Sequence, residues 1–432
     1  MAKKPINLLA GLDVGTTEVR CLIGAQPALQ DEESSPKILG LGCAKNTGMR
    51  RGVVSNYNEV FASVETAIKQ AELHAGCTID SLVININGGH VKAFSQTAEV
   101  AIANSDLLVT ERDCYSVTRK VRELTLAPNR SVIDSFTNTY WVDQIKNLEH
   151  PINIKGSVLG MEALVLTGDS IYLDMLRRIC NELDVQINSF TVSSLAAYQA
   201  TYDKKISDSG VAVIDIGHST TNVILVKDGK IENIVVLPVG GFNVTKDIAV
   251  VLQVDLETAE FLKLHHAQIN YQARGRKTIE FNKQAINFSP QQLSEVVTAR
   301  LEEICDFIEN LLRKKGLYQQ LPGGIILAGG TSKIAGLSDL FKEKLETHAQ
   351  IAQVRNFSGL TEIIQEKHEY LTVAGILAVD FLLQNQPATQ VAGDAPWTQK
   401  ALDFFGDLLK FRQRPSRQSL SSSSAEDKKD ST

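Results

Sequence analysis

The feature that most constrains this chain is a pair of similar short loops roughly 200 residues apart. The first is LDVGTT at 12–17 and the second is IDIGHST at 214–220. Each loop stands between two apolar runs, which predicts the tip of a β-hairpin. Glycine lets a ligand approach closely, and successive backbone N–H groups at such a tip bind anions. The sequence therefore predicts two facing lobes that hold one polyphosphate between them.

Both loops carry an aspartate, Asp13 in the first and Asp215 in the second. Mg²⁺ keeps most of its waters and binds one or two carboxylates together with phosphates. We therefore expect these two aspartates to hold Mg²⁺ through its waters. A third motif, ILAGGTS at 326–332, predicts a buried strand that runs into a Gly-Gly turn and then a helix. Such a turn lets the backbone lie flat against a nucleotide.

Composition indicates a large protein with more than one core and excludes several classes. The chain has 432 residues, of which 43% are hydrophobic, enough for two sizeable cores. A formal charge of -6 argues against a general role in nucleic-acid binding. The six cysteines lack metal-ligand spacing, which predicts reduced thiols. The longest apolar stretch, 371–383, contains Asp380 and is too short to span a bilayer.

Periodicity divides the chain into successive regions. A helical pattern at 58–75 and a strand pattern at 82–86 belong to the first lobe. The next 80 or so residues are too many for a loop and mix helix and strand patterns, so we expect an inserted subdomain. The predicted regions are 1–85, the opening segment of the first lobe; 86–166, an inserted α+β subdomain; 167–203, the continuation of the first lobe; 204–370, the second lobe; 371–383, a first-lobe return helix; 384–396, a flexible linker; 397–412, an amphipathic membrane-targeting helix; and 413–432, a disordered tail.

The two loops and the Gly-Gly motif, in this order and spacing, resemble the actin-like ATPase superfamily. Within it, the early insertion and the segments GMRRGVV at 48–54, AIKQAE at 67–72 and VGG at 239–241 resemble the FtsA family of cell-division proteins. The resemblance covers about residues 7–412. It implies an α/β protein with an actin-like two-lobed ATPase fold, an inserted α+β subdomain and a C-terminal amphipathic helix. It also implies ATP and Mg²⁺ as ligands.

The resemblance implies a set of nucleotide-binding residues on both lobes. AEFLK at 259–263 matches the helix that brackets the purine, so Glu260 and Lys263 are expected at the purine edge. His218 stands where glycine is common in the second loop. The expected nucleotide contacts are Asp13, Gly15, Thr16, Thr17, Asp215, Gly217, His218, Ser219, Thr220, Gly241, Glu260, Lys263, Gly329, Gly330, Thr331 and Ser332.

No catalytic residue is assigned. Related ATPases place a glutamate or glutamine on the helix that joins the lobes, where this chain has Ser193 and Ser194. A hydroxyl cannot replace a carboxylate as a base near neutral pH. We therefore expect ATP binding with slow hydrolysis at most.

Apolar residues recur at helical spacing over 397–411, while Lys400, Asp403, Asp407 and Lys410 occupy the other face. A basic amphipathic helix of this kind is typical of segments that bind an anionic membrane surface. The expected membrane contacts are Trp397, Leu402, Phe404, Phe405, Leu408, Leu409 and Phe411.

By resemblance, the protein polymerises at the inner face of the cytoplasmic membrane, binds the C-terminal tail of FtsZ at the division site and meets later division proteins. Arg300, on a predicted helix at 290–312, is the candidate contact for the acidic FtsZ tail. Two alternatives remain open. One is an actin-like adaptor of type IV pilus assembly, which leaves the amphipathic segment unexplained. The other is a sugar kinase of the same superfamily, for which the sequence shows no acceptor site.

Overall fold

The computed structural model describes residues 7–26, 35–124, 126–272, 274–359 and 368–384, with strands and helices numbered here in chain order. The predicted linker after residue 384, the amphipathic helix at 397–412 and the tail at 413–432 lie outside these residues. Of the helices in the described ranges, none is both long and apolar enough to cross a membrane. Cys21, Cys180 and Cys305 are buried thiols, as predicted.

The first lobe is built on a six-stranded sheet. The first two strands pair antiparallel along their whole length, from Leu8 opposite Ala25 to Val14 opposite Val19, so the first predicted hairpin is confirmed. The strands are β1 (Leu8–Val14), β2 (Glu18–Ala25), β3 (Lys37–Lys45), β6 (Ser81–Asn85), β11 (Gln186–Thr191) and β19 (Ser358–Gly359). Their order is β11, β6, β1, β2, β3, β19. The chain thus rejoins this sheet at β19, earlier than the predicted return at residue 371.

Helices cover this sheet and join it to the rest of the chain. The longest begins because the Asn56 side chain accepts from the Glu59 N–H, and it ends at Gly76, whose φ of 68° is the left-handed cap. The helices are α1 (Tyr57–Ala75), α3 (Ser170–Glu182), α4 (Ser193–Ala200), α5 (Lys204–Ser209) and α10 (Leu371–Gln384); a short hairpin, β4 (Met49–Arg50) and β5 (Val53–Val54), precedes α1. The last helix, α10, packs against α4 and β1.

The inserted subdomain is a four-stranded antiparallel sheet with one helix, as the α+β pattern predicted. Its elements are β7 (Lys92–Ala101), α2 (Glu111–Arg122), β8 (Arg130–Val142), β9 (Ile145–Leu148) and β10 (Val158–Asp169), with strand order β7, β10, β8, β9. Val117 and Val121 of α2 pack on Leu159 and Met161. Phe136 and Leu164 instead belong to the main core, together with residues of both lobes. The insertion is therefore packed into the body of the protein.

The second lobe repeats the plan of the first. Its hairpin pairs Val211 with Val226 and Ile216 with Thr221, and the first strand also has a parallel neighbour, as β1 has β6. The sheet contains β12 (Val211–Ile216), β13 (Thr221–Lys227), β14 (Lys230–Leu237), β17 (Ile325–Ala328) and β18 (Ala349–Ile351), in the order β14, β13, β12, β17, β18. The second predicted hairpin is thereby confirmed.

Four helices and a small hairpin surround the second sheet. These are α6 (Gly241–Leu252), α7 (Leu256–His266), β15 (Lys277–Phe281), β16 (Gln284–Phe288), α8 (Pro290–Lys314) and α9 (Leu337–Leu345). The Gly-Gly motif differs in one detail from the prediction. After β17 the chain forms a 3₁₀ turn, Gly330–Lys333, and α9 starts only at Leu337. The turn ends at Ile334, whose backbone is extended, with φ of -63° and ψ of 121°.

Candidate functional site

The two hairpin tips and the Gly-Gly turn line one cleft of about 570 Å³ between the lobes. Fourteen of the sixteen predicted nucleotide contacts line this cleft: Asp13, Gly15, Thr16, Thr17, Asp215, Gly217, His218, Ser219, Thr220, Glu260, Lys263, Gly329, Gly330 and Thr331. The other two lie directly behind the lining. The Gly241 N–H donates to the Gly217 carbonyl at 2.9 Å, and the Ser332 hydroxyl donates to the Gly329 carbonyl at 2.7 Å.

The two loops have the same backbone geometry. Gly15 N–H donates to the Glu18 carbonyl at 3.0 Å, and Gly217 N–H donates to the Thr220 carbonyl at 2.9 Å. Each bond closes a tight turn at the equivalent glycine, immediately after the strand that carries the aspartate. The turn leaves the intervening backbone exposed to the cleft, where N–H groups can bind phosphate oxygens.

Asn46, directly after the end of β3, fixes the first loop. Its backbone N–H donates to the Thr17 carbonyl at 2.8 Å, and its side-chain amide donates to the Gly15 carbonyl at 2.7 Å. The same side chain accepts from the Gly48 N–H at 3.0 Å. Asn46 is 3% exposed, so these bonds form away from water and hold the loop in one conformation.

The second loop is fixed by the start of α6 and by the Gly-Gly turn. Phe242 N–H donates to the His218 carbonyl at 2.6 Å, next to the bond from Gly241 described above. Thr331 Oγ1 donates to the Gly217 carbonyl at 3.3 Å. A Cβ at Gly241 would lie 2.5 Å from Thr331 Oγ1, so only glycine fits where these three segments meet.

Asp13 and Asp215 are both buried at the base of the cleft. Burial raises the pKa of Asp13, although Arg20 and a 2.5 Å bond from Asn85 oppose this. Burial and the charge of Asp13 together raise the pKa of Asp215 to about 7. A bound cation would offset the cost of burying both carboxylates and the repulsion that the charge of Asp13 exerts on Asp215. The residues present therefore fit a hard divalent cation.

Close packing at Gly329 keeps this pair in place. Gly329 has a φ of 84°, and a Cβ there would lie 2.4 Å from Oδ1 of Asp215. A side chain at this position would displace the carboxylate. The left-handed conformation and the contact both require glycine.

Glu260 and Lys263 form an ion pair on α7, with Nζ 2.8 Å from Oε2. The Lys263 ammonium also donates to the Gly241 carbonyl at 3.2 Å and to Thr245 Oγ1 at 3.0 Å. Burial lowers the pKa of Lys263, and the ion pair with Glu260 opposes that change. The pair thus joins α7 to the start of α6 at the edge of the cleft, and its expected contact with the purine stays a prediction.

The sequence reasoning missed several residues that shape the cleft. Asn85 donates to Asp13, accepts from the Val14 N–H at 2.7 Å and donates to Ser193 Oγ at 3.1 Å. Asn87 also donates to Ser193, at 2.8 Å. The signal for this network was present, because β6 is buried yet ends in polar Asn85, at the carboxyl end of the strand, where α/β sheets bind ligands.

One ion pair joins the lobes at the cleft. Lys333, in the 3₁₀ turn of the second lobe, bonds Glu369, which lies just before α10 in the first lobe. Both residues line the cleft. No local pattern identifies such a pair, since its members belong to different lobes.

Arg300 lies on α8 as predicted. Its guanidinium binds both carboxylate oxygens of Asp247, at 2.6 and 3.1 Å, and also pairs with Glu303. A carboxylate partner would therefore compete with two acidic neighbours for this side chain. The role of Arg300 in partner binding stays a prediction.

The architecture is that of solved actin-like proteins. The chain is similar to a "PilM-PilN type IV pilus biogenesis complex" structure, with a TM-score of 0.62 and 16% identity over 88% of this chain and 99% of that one. It is also similar to MreB5 of Spiroplasma citri bound to ADP, with a TM-score of 0.53 and 13% identity over 88% of this chain and 99% of that one. Together with the two-lobed cleft, these likenesses define a protein of the actin-like class.

Sequence comparison narrows this class. A family model described as "Cell division protein FtsA" matches residues 212–375, and one described as "SHS2 domain inserted in FTSA" matches 88–167. The "Cell division protein FtsA" of Borreliella burgdorferi is 31% identical over 363 residues, which cover 82% of this chain and 87% of that protein. The chain therefore belongs to the FtsA family of cell-division proteins. The likeness to the pilus protein, at 16% identity, reflects a shared fold alone.

Proposed function

We propose that this protein binds ATP and Mg²⁺ between its lobes, polymerises on the inner face of the cytoplasmic membrane and tethers FtsZ to the division septum. The observation that supports nucleotide binding most directly is the convergence of two hairpin loops, a Gly-Gly turn and two buried aspartates on one cleft. Membership of the FtsA family supports the role in division. The ADP-bound state of the MreB5 structure supports the choice of an adenine nucleotide.

In this proposal the two loops bind the phosphates through their backbone N–H groups and the hydroxyls of Thr16, Thr17, Ser219 and Thr220. Asp13 and Asp215 hold Mg²⁺ through its waters, and Mg²⁺, when bound, neutralises part of the phosphate charge. The Gly-Gly turn lies against the nucleotide. Ser193 lines the cleft between Asn85 and Asn87, and its hydroxyl is not a base near neutral pH. Hydrolysis is accordingly slow.

Calorimetry with Asp215→Ala tests the nucleotide site. We expect this variant to bind Mg-ATP more weakly than the unmodified protein while it keeps its fold. Asp339→Ala is a matched control, because that aspartate is 81% exposed on α9 and does not line the cleft. Unchanged Mg-ATP affinity in Asp215→Ala would contradict the assignment.

Co-sedimentation tests the proposed partners. We expect the full chain to sediment with anionic liposomes and with FtsZ, and we expect Phe405→Glu to lose the liposomes while it retains FtsZ. Arg300→Ala should show the reverse pattern, because its proposed partner is the acidic FtsZ tail. Loss of both partners in either variant would indicate misfolding, which a thermal melt detects. Failure of the unmodified protein to bind either partner would refute the tether.

Polymerisation is proposed because a single amphipathic segment is a reversible anchor. Burial of its apolar side chains is largely offset by the cost of ordering about 15 residues. A filament that presents many such segments binds more firmly through effective concentration. Sedimentation of the protein with Mg-ATP, on liposomes and in their absence, measures this dependence.

A further inference from the structure

The positive and negative charges of the residues that line the cleft nearly cancel. Among the described residues, five carboxylates and four cations line it: Asp13, Glu18, Asp215, Glu260 and Glu369, with Arg20, Lys45, Lys263 and Lys333. A nucleoside triphosphate remains negatively charged even with one Mg²⁺. The cleft thus offers a polyphosphate little net positive charge.

Most of these cations already have acidic partners. Arg20 bonds Glu18, Lys263 bonds Glu260, and Lys333 bonds Glu369. A phosphate that takes one of these cations leaves a partly buried carboxylate without its partner, which costs free energy. A group that is neutral in the free protein and becomes positive only when phosphate arrives would avoid this cost.

His218 is the one imidazole among the described residues that line the cleft. It sits in the tip of the second loop, and its ring stacks on Phe242, with centroids 5.0 Å apart and planes at 29°. Its carbonyl accepts from the Phe242 N–H. The stack and this bond fix the ring at the start of α6, within the predicted phosphate loop.

Charged groups from two helices surround this ring. The charges of Lys263 and Glu260, both on α7, affect the protonation of this ring. Lys246 of α6 lies 4.8 Å from the centre of the Phe242 ring. Burial and Lys263 lower the pKa of His218, while Glu260 raises it. The imidazole is therefore neutral near pH 7 in the free protein. Phosphate oxygens in the cleft would add negative charge beside it and favour protonation.

We propose that His218 is a specificity-determining residue, whose imidazole takes up a proton from solvent when a nucleotide polyphosphate binds in the cleft. Binding is thereby linked to proton uptake, and the gain in affinity grows with the negative charge of the phosphate chain. This inference rests on the proposed nucleotide-binding function. It assigns to a loop side chain a charge that the paired cations of the cleft do not supply.

Calorimetry in buffers of different ionisation enthalpy measures proton uptake directly. Asp215, whose pKa is about 7, releases protons when Mg²⁺ binds, so the two proteins must be compared with each other. We expect the unmodified protein to take up more protons, or to release fewer, than His218→Asn when each binds Mg-ATP near pH 7. One linked proton changes affinity at most tenfold per pH unit. Lowering the pH from about 7.5 to about 6.0 should therefore raise the Mg-ATP affinity of the unmodified protein about three- to tenfold relative to that of the variant. Because both proteins contain Asp215, its titration cancels in the ratio of their Mg-ATP affinities.

His266→Asn is the matched control. This histidine is the last residue of α7, packs near Phe261 and Phe288 and does not line the cleft, so its loss should leave proton uptake unchanged. A second substitution, His218→Gly, should behave as His218→Asn does. The imidazole resonances of His218 in NMR titrations should report a higher pKa with Mg-ATP than without it.

The outcomes separate the two proposals. Binding with the same proton uptake in the unmodified protein and in both His218 variants would overturn the role of His218 alone. A His218 resonance whose pKa does not rise with Mg-ATP would do the same. Absence of Mg-ATP binding by the unmodified protein at both pH values would overturn the nucleotide site and this inference with it.

Discussion

Replacing Asp215 with asparagine should stabilise the nucleotide-free protein and weaken Mg-ATP binding at the same time. Burial and the charge of Asp13 raise the pKa of Asp215 from 3.8 to about 7. The difference corresponds to about 4 kcal/mol that the ionised carboxylate costs the fold above pH 7. Asparagine has a similar shape and no charge, so we expect the free energy of unfolding to rise by about 2–4 kcal/mol, allowing for a less favourable hydrogen-bond fit.

The raised pKa of Asp215 also fixes the direction in which stability changes with pH. A carboxyl whose pKa is raised by folding costs nothing below its unfolded pKa and its full amount above its folded pKa. The contribution of Asp215 to stability should therefore fall as pH rises from about 4 to about 7, and Asp215→Asn should lack that decline. The advantage of the variant should be small near pH 4 and largest near pH 8.

Urea unfolding without nucleotide or Mg²⁺ measures the change, and calorimetry measures Mg-ATP affinity. Asp339→Asn, at an exposed site, should alter neither quantity by much. The reasoning would be refuted if Asp215→Asn were less stable than the unmodified protein at pH 8. It would also fail if the stabilisation were equal at pH 4 and pH 8, because the charge would then not be its cause.

Three further predictions address other regions of the molecule. ATP should bind more tightly than GTP if Glu260 and Lys263 contact the purine edge as predicted, and equal affinities in a competition assay would contradict this placement. Replacing Phe405 and Leu408 with charged residues should abolish liposome flotation with little change in melting temperature; a much lower melting temperature with retained flotation would place the helix in the core. Asn46→Ala should cost about 1–3 kcal/mol in urea unfolding and weaken Mg-ATP binding, because the Gly15 carbonyl and the Gly48 N–H lose their partner; an unaltered affinity would show that the first loop holds its shape without Asn46.

The sequence was sufficient for the hairpins and for most helices because their signals are local. Apolar runs interrupted at Gly15 and Gly217 predict tight turns, and the α1 stripe repeats at helical spacing. The repetition of the loop motif then predicted two facing lobes, which periodicity alone does not indicate. The 3₁₀ turn at 330–333 was missed because the Gly-Gly motif does not distinguish a short turn from the start of a helix.

The site was predicted where it consists of motifs and was missed where it consists of tertiary contacts. Asn46 is 31 residues from Gly15, and Asn85 is 72 residues from Asp13, so no sequence window contains either pair. Lys333 and Glu369 come together only when the lobes pack. A polar residue at the end of a buried strand, such as Asn85, is the one local sign that points to such contacts.

The contacts between the end of α10 and β1 also have a mechanical meaning. The Gln384 side chain donates to the Leu8 carbonyl at 3.1 Å, and Asp380 accepts from the Ala10 N–H at 2.9 Å. Both contacts are on β1, which leads within a few residues to Asp13. A force applied to the chain beyond Gln384 is therefore transmitted to β1, the strand that leads into the first phosphate loop. If the proposed amphipathic segment anchors the protein and the cleft binds a nucleotide, tension and nucleotide binding act on the same strand.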